Sequence, residues 1–487
     1  MRQWLSRTGA VTLALLVAGC AAERIGLPEK TASVSVPAAV PRITGIESIT
    51  SREHKRLVAL FGGEYSWPAA EKMLNAVMAR VAAAGERPDQ GYRVTILNSP
   101  VVNAFALPNG NLYVTRGLLA LANDTSEIAA VMAHEVAHVT ANHAMQRAEL
   151  ERRSQLVSRV VSEVLEDPAA GEVVQARSRF SLASFSRSQE LEADQIGVRS
   201  IAKAGFDPFG AARFLASLGR QTSMRATMLG EKPGQQGMNF LSTHPSTPER
   251  VAQALSAARS IGGPGIGESD RQSYLAAIDG ITFGDDPNEG MVRNTKFLHP
   301  QLGFTFSAPP GFVLENSSSA VVGLTPGGAQ ALRFDSVKLP EGQTLSTYMA
   351  SGWIEGAKLG PIEDISVNGL TAVTAFAKGE DWSFRLAAIQ LGAGTYRFIL
   401  ASKAMTPDLD RTFRQAIDSF RAMTPAEIAT ARPLRLVLVT AKPGDTAESL
   451  AGRMATTDRA VDRFLVLNGL DRPSAVKPGQ SYKIVVE

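Results

Sequence analysis

From Asp124 to Gln146 the chain reads D-T-S-E-I-A-A-V-M-A-H-E-V-A-H-V-T-A-N-H-A-M-Q, a mostly apolar stretch without proline or glycine. It predicts a helix over 124–146, and Asp124 with Glu127 three residues on reads as a capping box at its start. Upstream, a second helix is predicted from Pro68 to Ala84, with proline in its first turn and Gly85 past its end. Residues Tyr92 to Asn98 alternate as a strand, and Val101 to Arg116 place two apolar runs around the turn signal Pro108-Asn109-Gly110. Downstream, a helix opens at Ser186 and stops near Ala204-Gly205, and another opens at Thr247-Pro248. The Gly- and Met-rich segment from Ser223 to Asn239 between them predicts a mobile loop.

After the loop-rich stretch Ile261 to Gly265 the pattern changes. Short alternating runs at Gly303 to Ser307, Ala331 to Val337 and Phe384 to Gln390 predict strands, and helices are expected near Leu345 to Leu359 and Leu409 to Phe420. A linker is expected around Thr424 to Pro433. Beyond it come a strand (L-V-L-V-T), two short helical runs and a last strand (Y-K-I-V-V). The fold class predicted is α+β, with domains at 46–262, 280–423 and 434–487, a division that 487 residues also call for.

Composition adds mostly exclusions. With 44% hydrophobic and 20% charged residues the chain is of ordinary globular make-up. A formal charge of +3 without a dense Lys/Arg block argues against nucleic acid as a partner. The N-terminus is different: Arg2 and Arg7 precede a short apolar run from Ala10 to Gly19, the form of a signal peptide over 1–19. The run ends Leu16-Val17-Ala18-Gly19-Cys20, which resembles the lipobox of bacterial lipoproteins. That resemblance implies lipidation of Cys20, the chain's one cysteine, and a proline-containing tether over 20–45. With Ala21 following, anchoring to the outer membrane on its periplasmic side is expected.

The candidate chemistry sits in His134-Glu135-Val136-Ala137-His138. Positions four apart share a helix face, so both imidazoles can point at one metal ion, and Glu135, about 100° away, can act on water at that ion. A helix running on to Gln146 would turn His143 away from the metal, to a structural or exposed role. A third ligand is available at Glu190, giving a His-His-Glu set with one open position. Asp194, one turn later, shares its face and can orient a histidine ring, while Glu192 points elsewhere. His244, in S-T-H-P-S-T-P-E-R, could enter the open metal position, stabilise a transition state, or be a surface turn histidine. Arg187 and His244 are the candidate oxyanion donors. Asn103, Ala104 and Phe105 form a candidate edge strand for an extended substrate, or an ordinary hairpin. His54 and His299 lie in no constellation.

Four segments in order, N-A-F-A-L-P-N-G with Y-V-T-R-G-L-L-A-L-A, H-E-V-A-H, S-R-S-Q-E-L-E-A-D and S-T-H-P-S-T-P-E-R, resemble the CAAX-prenyl-protease-type zinc metalloproteases of peptidase family M48. The likeness covers roughly 45 to 260 and is strongest to a bacterial branch of outer-membrane lipoproteins. It implies Zn2+ on His134, His138 and Glu190, Glu135 as general base, Asp194 as the carboxylate behind a ligand, and His244 as a regulatory fourth ligand. Residues 434–487, with G-D-T, L-N-G-L and a final P-G-Q, resemble a LysM module, which implies binding to peptidoglycan. The function expected is a periplasmic zinc endopeptidase in quality control or assembly of envelope proteins, acting on unfolded or misassembled ones. The rival expectation is a zinc-stabilised chaperone or assembly factor with proteolysis restrained.

Overall fold

The computed structural model describes residues 46–147, 149, 185–230, 244, 248–456 and 458–487. The expected signal segment, Cys20 and the tether lie outside the described residues. Around the H-E-x-x-H motif, helices α1 (Ile46–Leu60) and α2 (Pro68–Ala84) precede strands β1 (Arg93–Leu97), β2 (Ala104–Ala106) and β3 (Asn111–Thr115). Then come α3 (Arg116–Leu121) and the motif helix α4 (Thr125–Thr140). The sheet runs β1-β3-β2, parallel for β1 with β3 and antiparallel for β2 with β3, so β2 is an edge.

Every residue of α4 from Thr125 to Val139 is buried, as its nearly all-round apolar sequence requires. Asp124 caps it by accepting the amide of Glu127 at 2.9 Å. Glu127 reaches back to the amide of Asn123, one residue upstream of the usual capping-box partner. The helix stops at Thr140, six residues short of the expected Gln146. Asn142 adopts a left-handed φ of 56°, a conformation asparagine tolerates, and breaks the register there.

Helix α5 (Arg187–Lys203) lies across α4. It comes close because Gly197 faces the motif: a Cβ there would stand 3.3 Å from the His134 amide nitrogen. Helix α6 (Gly210–Leu229) absorbs Ser223 to Leu229, which the sequence reading assigns to a loop. Those residues, S-M-R-A-T-M-L, contain no helix breaker, and only Gly230 in the left-handed conformation (φ 62°) stops the helix. Helices α7 (Pro248–Ile261) and α8 (Arg271–Ile278) complete this part, followed by β4 (Thr282–Phe283).

The middle of the chain is mainly antiparallel sheet. Strands β5 (Met291–Arg293), β6 (Lys296–His299) and β7 (Phe304–Ser307) join β15 (Arg421–Ala422) in the order β15-β7-β6-β5. A seven-stranded sheet runs β11-β12-β13-β14-β10-β9-β8. Its strands are β8 (Val313–Asn316), β9 (Val321–Leu324), β10 (Gln330–Val337), β11 (Lys358–Val367), β12 (Leu370–Lys378), β13 (Ser383–Leu391) and β14 (Gly394–Ser402). Helix α9 (Leu345–Ala350) is shorter than expected: Gly352 and Gly356, at φ 82° and 75°, turn the chain so that Lys358 already begins β11. Helix α10 (Pro407–Asp418) follows β14, and the expected linker contains α11 (Pro425–Thr430), closed by a Thr424–Glu427 capping box.

The C-terminal part is β16 (Leu434–Thr440), α12 (Ala447–Ala451), α13 (Ala460–Leu467) and β17 (Ser481–Val486), in β-α-α-β order. Strand β16 pairs with β17 on one side and with β4 on the other. Leu436, Phe464 and Ile484 belong to the same apolar core as Leu119, Ile128 and Tyr274. Fully buried Lys483 donates from Nζ to the carbonyls of Ala120 at 2.6 Å and Ala122 at 2.8 Å, ending α3. The C-terminal part is therefore built into the region that carries H-E-x-x-H. Among the described residues no helix is long and apolar enough to cross a membrane.

Candidate metal centre

One turn of α4 separates His134 from His138, and their Nε2 atoms stand 3.1 Å apart. Glu190 is delivered by α5, whose start is fixed by a Ser186–Gln189 capping box. Its Oε2 lies 3.5 Å from His134 Nε2 and its Oε1 3.5 Å from His138 Nε2. His244 closes the group, with Nδ1 3.3 Å from His134 Nε2 and 2.8 Å from Glu190 Oε1. All four residues are buried, and one ligand atom from each lies within 4.8 Å of the others.

These separations can be tested against a metal. Ligands about 2.05 Å from a tetrahedral zinc stand about 3.3 Å from one another. The observed contacts, 2.8 to 3.5 Å, straddle that edge length. The charges agree. Burial works against an imidazolium at His134, yet Asp194 and Glu190 outweigh it and lift its pKa to about 9. The cluster thus calls for positive charge at its centre, from a proton or a metal ion. Burial pushes His138 the other way, to about 2, leaving a neutral imidazole with a lone pair to donate. Glu190 is depressed because three histidines outweigh its burial. The donor set fits a metal ion.

A further layer holds these ligands in place. Asp194 Oδ1 lies 3.0 Å from His134 Nδ1, on the side of the ring away from the cluster. Arg250, in the first turn of α7, forks onto Asp194, with Nε to Oδ2 at 2.7 Å and Nη2 to Oδ1 at 2.8 Å. Its Nη1 reaches Glu190 Oε2 at 2.7 Å. Arg250 and His134 hold the Asp194 carboxyl below its usual range against the opposing effect of burial. Sequence reasoning missed Arg250. A buried arginine one turn into a helix looks no different in sequence from a solvated one, and its spacing from His244 was the only signal.

His143 also departs from expectation. It is fully buried, and its Nδ1 is 2.9 Å from His138 Nδ1, so one ring donates to the other. The break at Asn142 ends the periodicity that would have turned it away. Its Nε2 lies 3.4 Å from Glu192, whose side chain is otherwise exposed. Phe185, also missed, stacks on His138 at 4.0 Å between ring centroids, with the Arg147 guanidinium 4.8 Å beyond it.

Glu135 is buried beside the cluster, with Oε1 3.7 Å from His244 Nε2. Burial raises its pKa, the direction that makes a carboxylate a better base. Arg187 is not in the site: it is exposed and pairs with Glu249 on the surface. Asn103 donates its amide to Thr115 Oγ1, and Ala104 and Phe105 lie on the β2 edge, with Phe105 stacked on Tyr113 at 4.8 Å. His54 bonds Tyr113 and Glu64, and His299 lies on β6; neither joins the cluster.

Residues 68–258 match the model of peptidase family M48. The chain is 28% identical over 218 residues to the beta-barrel assembly-enhancing protease of Escherichia coli (strain K12), covering 43% of each. It is 30% identical over 181 residues to the mitochondrial metalloendopeptidase OMA1 of Schizosaccharomyces pombe, covering 37% of this chain and 50% of that one. To OMA1 of Arabidopsis thaliana it is 35% identical over 167 residues, 34% and 31% of the two chains. The chain thus spans half or less of the length of these relatives. Among solved structures, cyanobacterial PsbP from Synechocystis aligns with 28% of this chain at 16% identity, with a TM-score of 0.21, too low to bear on the fold.

Proposed function

From a family M48 metallopeptidase domain with a buried His-His-Glu-His metal-binding group, we propose that this chain is a zinc endopeptidase cutting extended segments of unfolded or misassembled envelope proteins. The observation that carries this reading is the convergence of four buried ligand groups, one atom of each within 4.8 Å of the others, with Glu135 beside them. His134, His138 and Glu190 would hold the ion. Bound there, zinc supplies Lewis acidity, lowering the pKa of water toward ~7 and polarising the scissile carbonyl. Glu135 takes the proton of the attacking water and passes it to the leaving amine, a role favoured by its raised pKa. Asp194, fixed by Arg250, holds the His134 ring in register. The β2 strand, an edge of the sheet among the described residues, would offer backbone groups to an extended substrate.

His244 is the regulatory element of this reading. With its Nδ1 among the ligands it fills the position that a catalytic zinc site keeps for water. Moved aside, it is the remaining candidate for the oxyanion, since Arg187 stands on the surface. The same closed position favours the second reading, an assembly factor whose proteolysis is restrained. The setting belongs to the proposal as well. Lipidated Cys20 would hold the chain at the outer membrane, facing the periplasm, and the β-α-α-β part would act as a LysM module on peptidoglycan. Support comes from the N-terminal sequence, the element order, and the name of the Escherichia coli relative.

Glu135→Gln tests the activity. It should keep zinc and fold while lowering cleavage of casein or an unfolded barrel precursor by about 10²- to 10⁴-fold. Cleavage at the parental rate by a zinc-loaded Glu135→Gln would refute the protease reading.

A further inference from the structure

A pocket of about 120 Å³ lies where α3, α6 and β4 meet the C-terminal β-α-α-β part. Each of these elements contributes an apolar wall residue: Leu121 from α3, Met224 from α6, Phe283 from β4 and Val466 from α13. Five polar side chains interrupt them: Thr282 accepts from the Tyr65 hydroxyl and Arg463 is paired with Asp458 at 2.6 Å, whereas Arg116 Nη2, Gln221 Oε1 and Thr456 Oγ1 are buried without a hydrogen-bond partner among the described residues.

Arg116 is the decisive one. The residue is 1% exposed. Its Nε donates to Asn98 Oδ1 at 2.6 Å, and its Nη1 donates to the carbonyls of Thr282 at 2.8 Å and Gly284 at 3.0 Å. These partners are neutral. Asp285 and Asp286 act on the guanidinium only as more distant charges, and among the described residues it forms no ion pair. A buried guanidinium that lines a pocket, is held by neutral groups and has an unpartnered Nη2 lacks the close counter-charge that buried cations normally have. Gln221 and Thr456 add an acceptor and a hydroxyl to the lining of the same pocket.

We infer that this pocket binds a monocarboxylate with a compact apolar body, its carboxylate on Arg116 Nη2 and its body against Met224, Leu121, Phe283 and Val466. With Arg463 already neutralised by Asp458, the one guanidinium edge left at Arg116 suits one negative charge, and the apolar residues suit an aliphatic or aromatic remainder. Such a ligand would touch both the metallopeptidase domain and the C-terminal part, so its binding would fasten one to the other. Both an acyl chain and the C-terminus of an apolar peptide present this chemistry.

Titration calorimetry of the full chain tests it, using octanoate against octanol and N-acetyl-leucine against its amide. Saturable one-to-one binding of at least one carboxylate, about tenfold or more tighter than its neutral partner, supports the site. The preferred carboxylate tells an acyl chain from a peptide terminus. Met224→Trp, which fills the pocket, should abolish that binding without altering casein cleavage. No binding of either carboxylate at millimolar concentration, or equal binding of acid and neutral partner, would overturn the inference and leave the pocket to water. Unchanged affinity in Met224→Trp would place the binding elsewhere and overturn it equally. The acid–neutral comparison needs no variant, so the test survives misfolding of Met224→Trp.

Discussion

Replacing Arg250 by Ala should damage the metal centre without touching a ligand. The guanidinium makes two charge-assisted hydrogen bonds to Asp194, at 2.7 and 2.8 Å, and an ion pair with Glu190 at 2.7 Å. All three side chains are buried. Removing one member of a buried ionic set leaves the others uncompensated and costs about 3–5 kcal/mol. Bound zinc still neutralises part of Glu190, so the loss falls mainly on Asp194 and, through it, on the orientation of His134. Loss of such a supporting group lowers metal affinity about 10- to 100-fold. Denaturant unfolding of the zinc-loaded protein measures the first quantity, and competition with a chromophoric zinc chelator measures the second. Arg250→Lys should fall between parent and Ala, because an ammonium keeps the charge but cannot fork. An Ala variant within about 0.5 kcal/mol of the parent, with zinc affinity within about twofold, would refute the reasoning.

Three further outcomes follow from the packing and the charges. Gly197→Val should part α5 from α4, since even a Cβ would sit 3.3 Å from the His134 amide nitrogen; a loss of about 1–3 kcal/mol in thermal unfolding with weakened zinc binding is expected, and a parental melt would count against the close approach. Asp285 has its pKa raised to about 6 by burial, which outweighs the Val292 amide, Arg293 and Arg116. Protonated Asp285 therefore favours the fold: the contribution is fully present below the unfolded pKa of about 3.8 and is lost as pH rises through about 6. Asp285→Asn should accordingly gain up to about 3 kcal/mol on the parent between pH 4 and pH 8, and a pH-independent difference would contradict this. Deleting 434–487 removes the partner of β4 and the Lys483 cap on α3, so the truncated chain should melt well below the parent; an unchanged transition would show that the C-terminal part is an independent appendage.

The metal centre was legible where chemistry and local periodicity coincide. His134 and His138 need only one helical turn to meet, and Glu190 and Asp194 need only one more. What periodicity could not give was where a helix stops. The left-handed Asn142 ended α4 six residues early and brought His143 back onto His138. Arg250 and Phe185 were hidden for another reason: they reach the site through tertiary packing, and no spacing rule connects them to His134. In the middle of the chain the strands are readable from alternation, whereas the apolar pattern of α9 runs on past Gly352 and Gly356, whose left-handed turns end it. The C-terminal element order was visible, but not that Lys483 is buried, since a lysine in a strand reads as solvated until its acceptors, the carbonyls of Ala120 and Ala122, are located.

The central claim is that His134, His138, Glu190 and His244 surround one zinc ion. Zinc-edge X-ray absorption on the purified full chain, with metal content measured on the same sample, addresses it most directly. The account predicts one zinc per chain ringed by three imidazoles and one carboxylate, falling to two imidazoles in His244→Ala. A chain without zinc, or a zinc shell with no imidazole scattering, would contradict it.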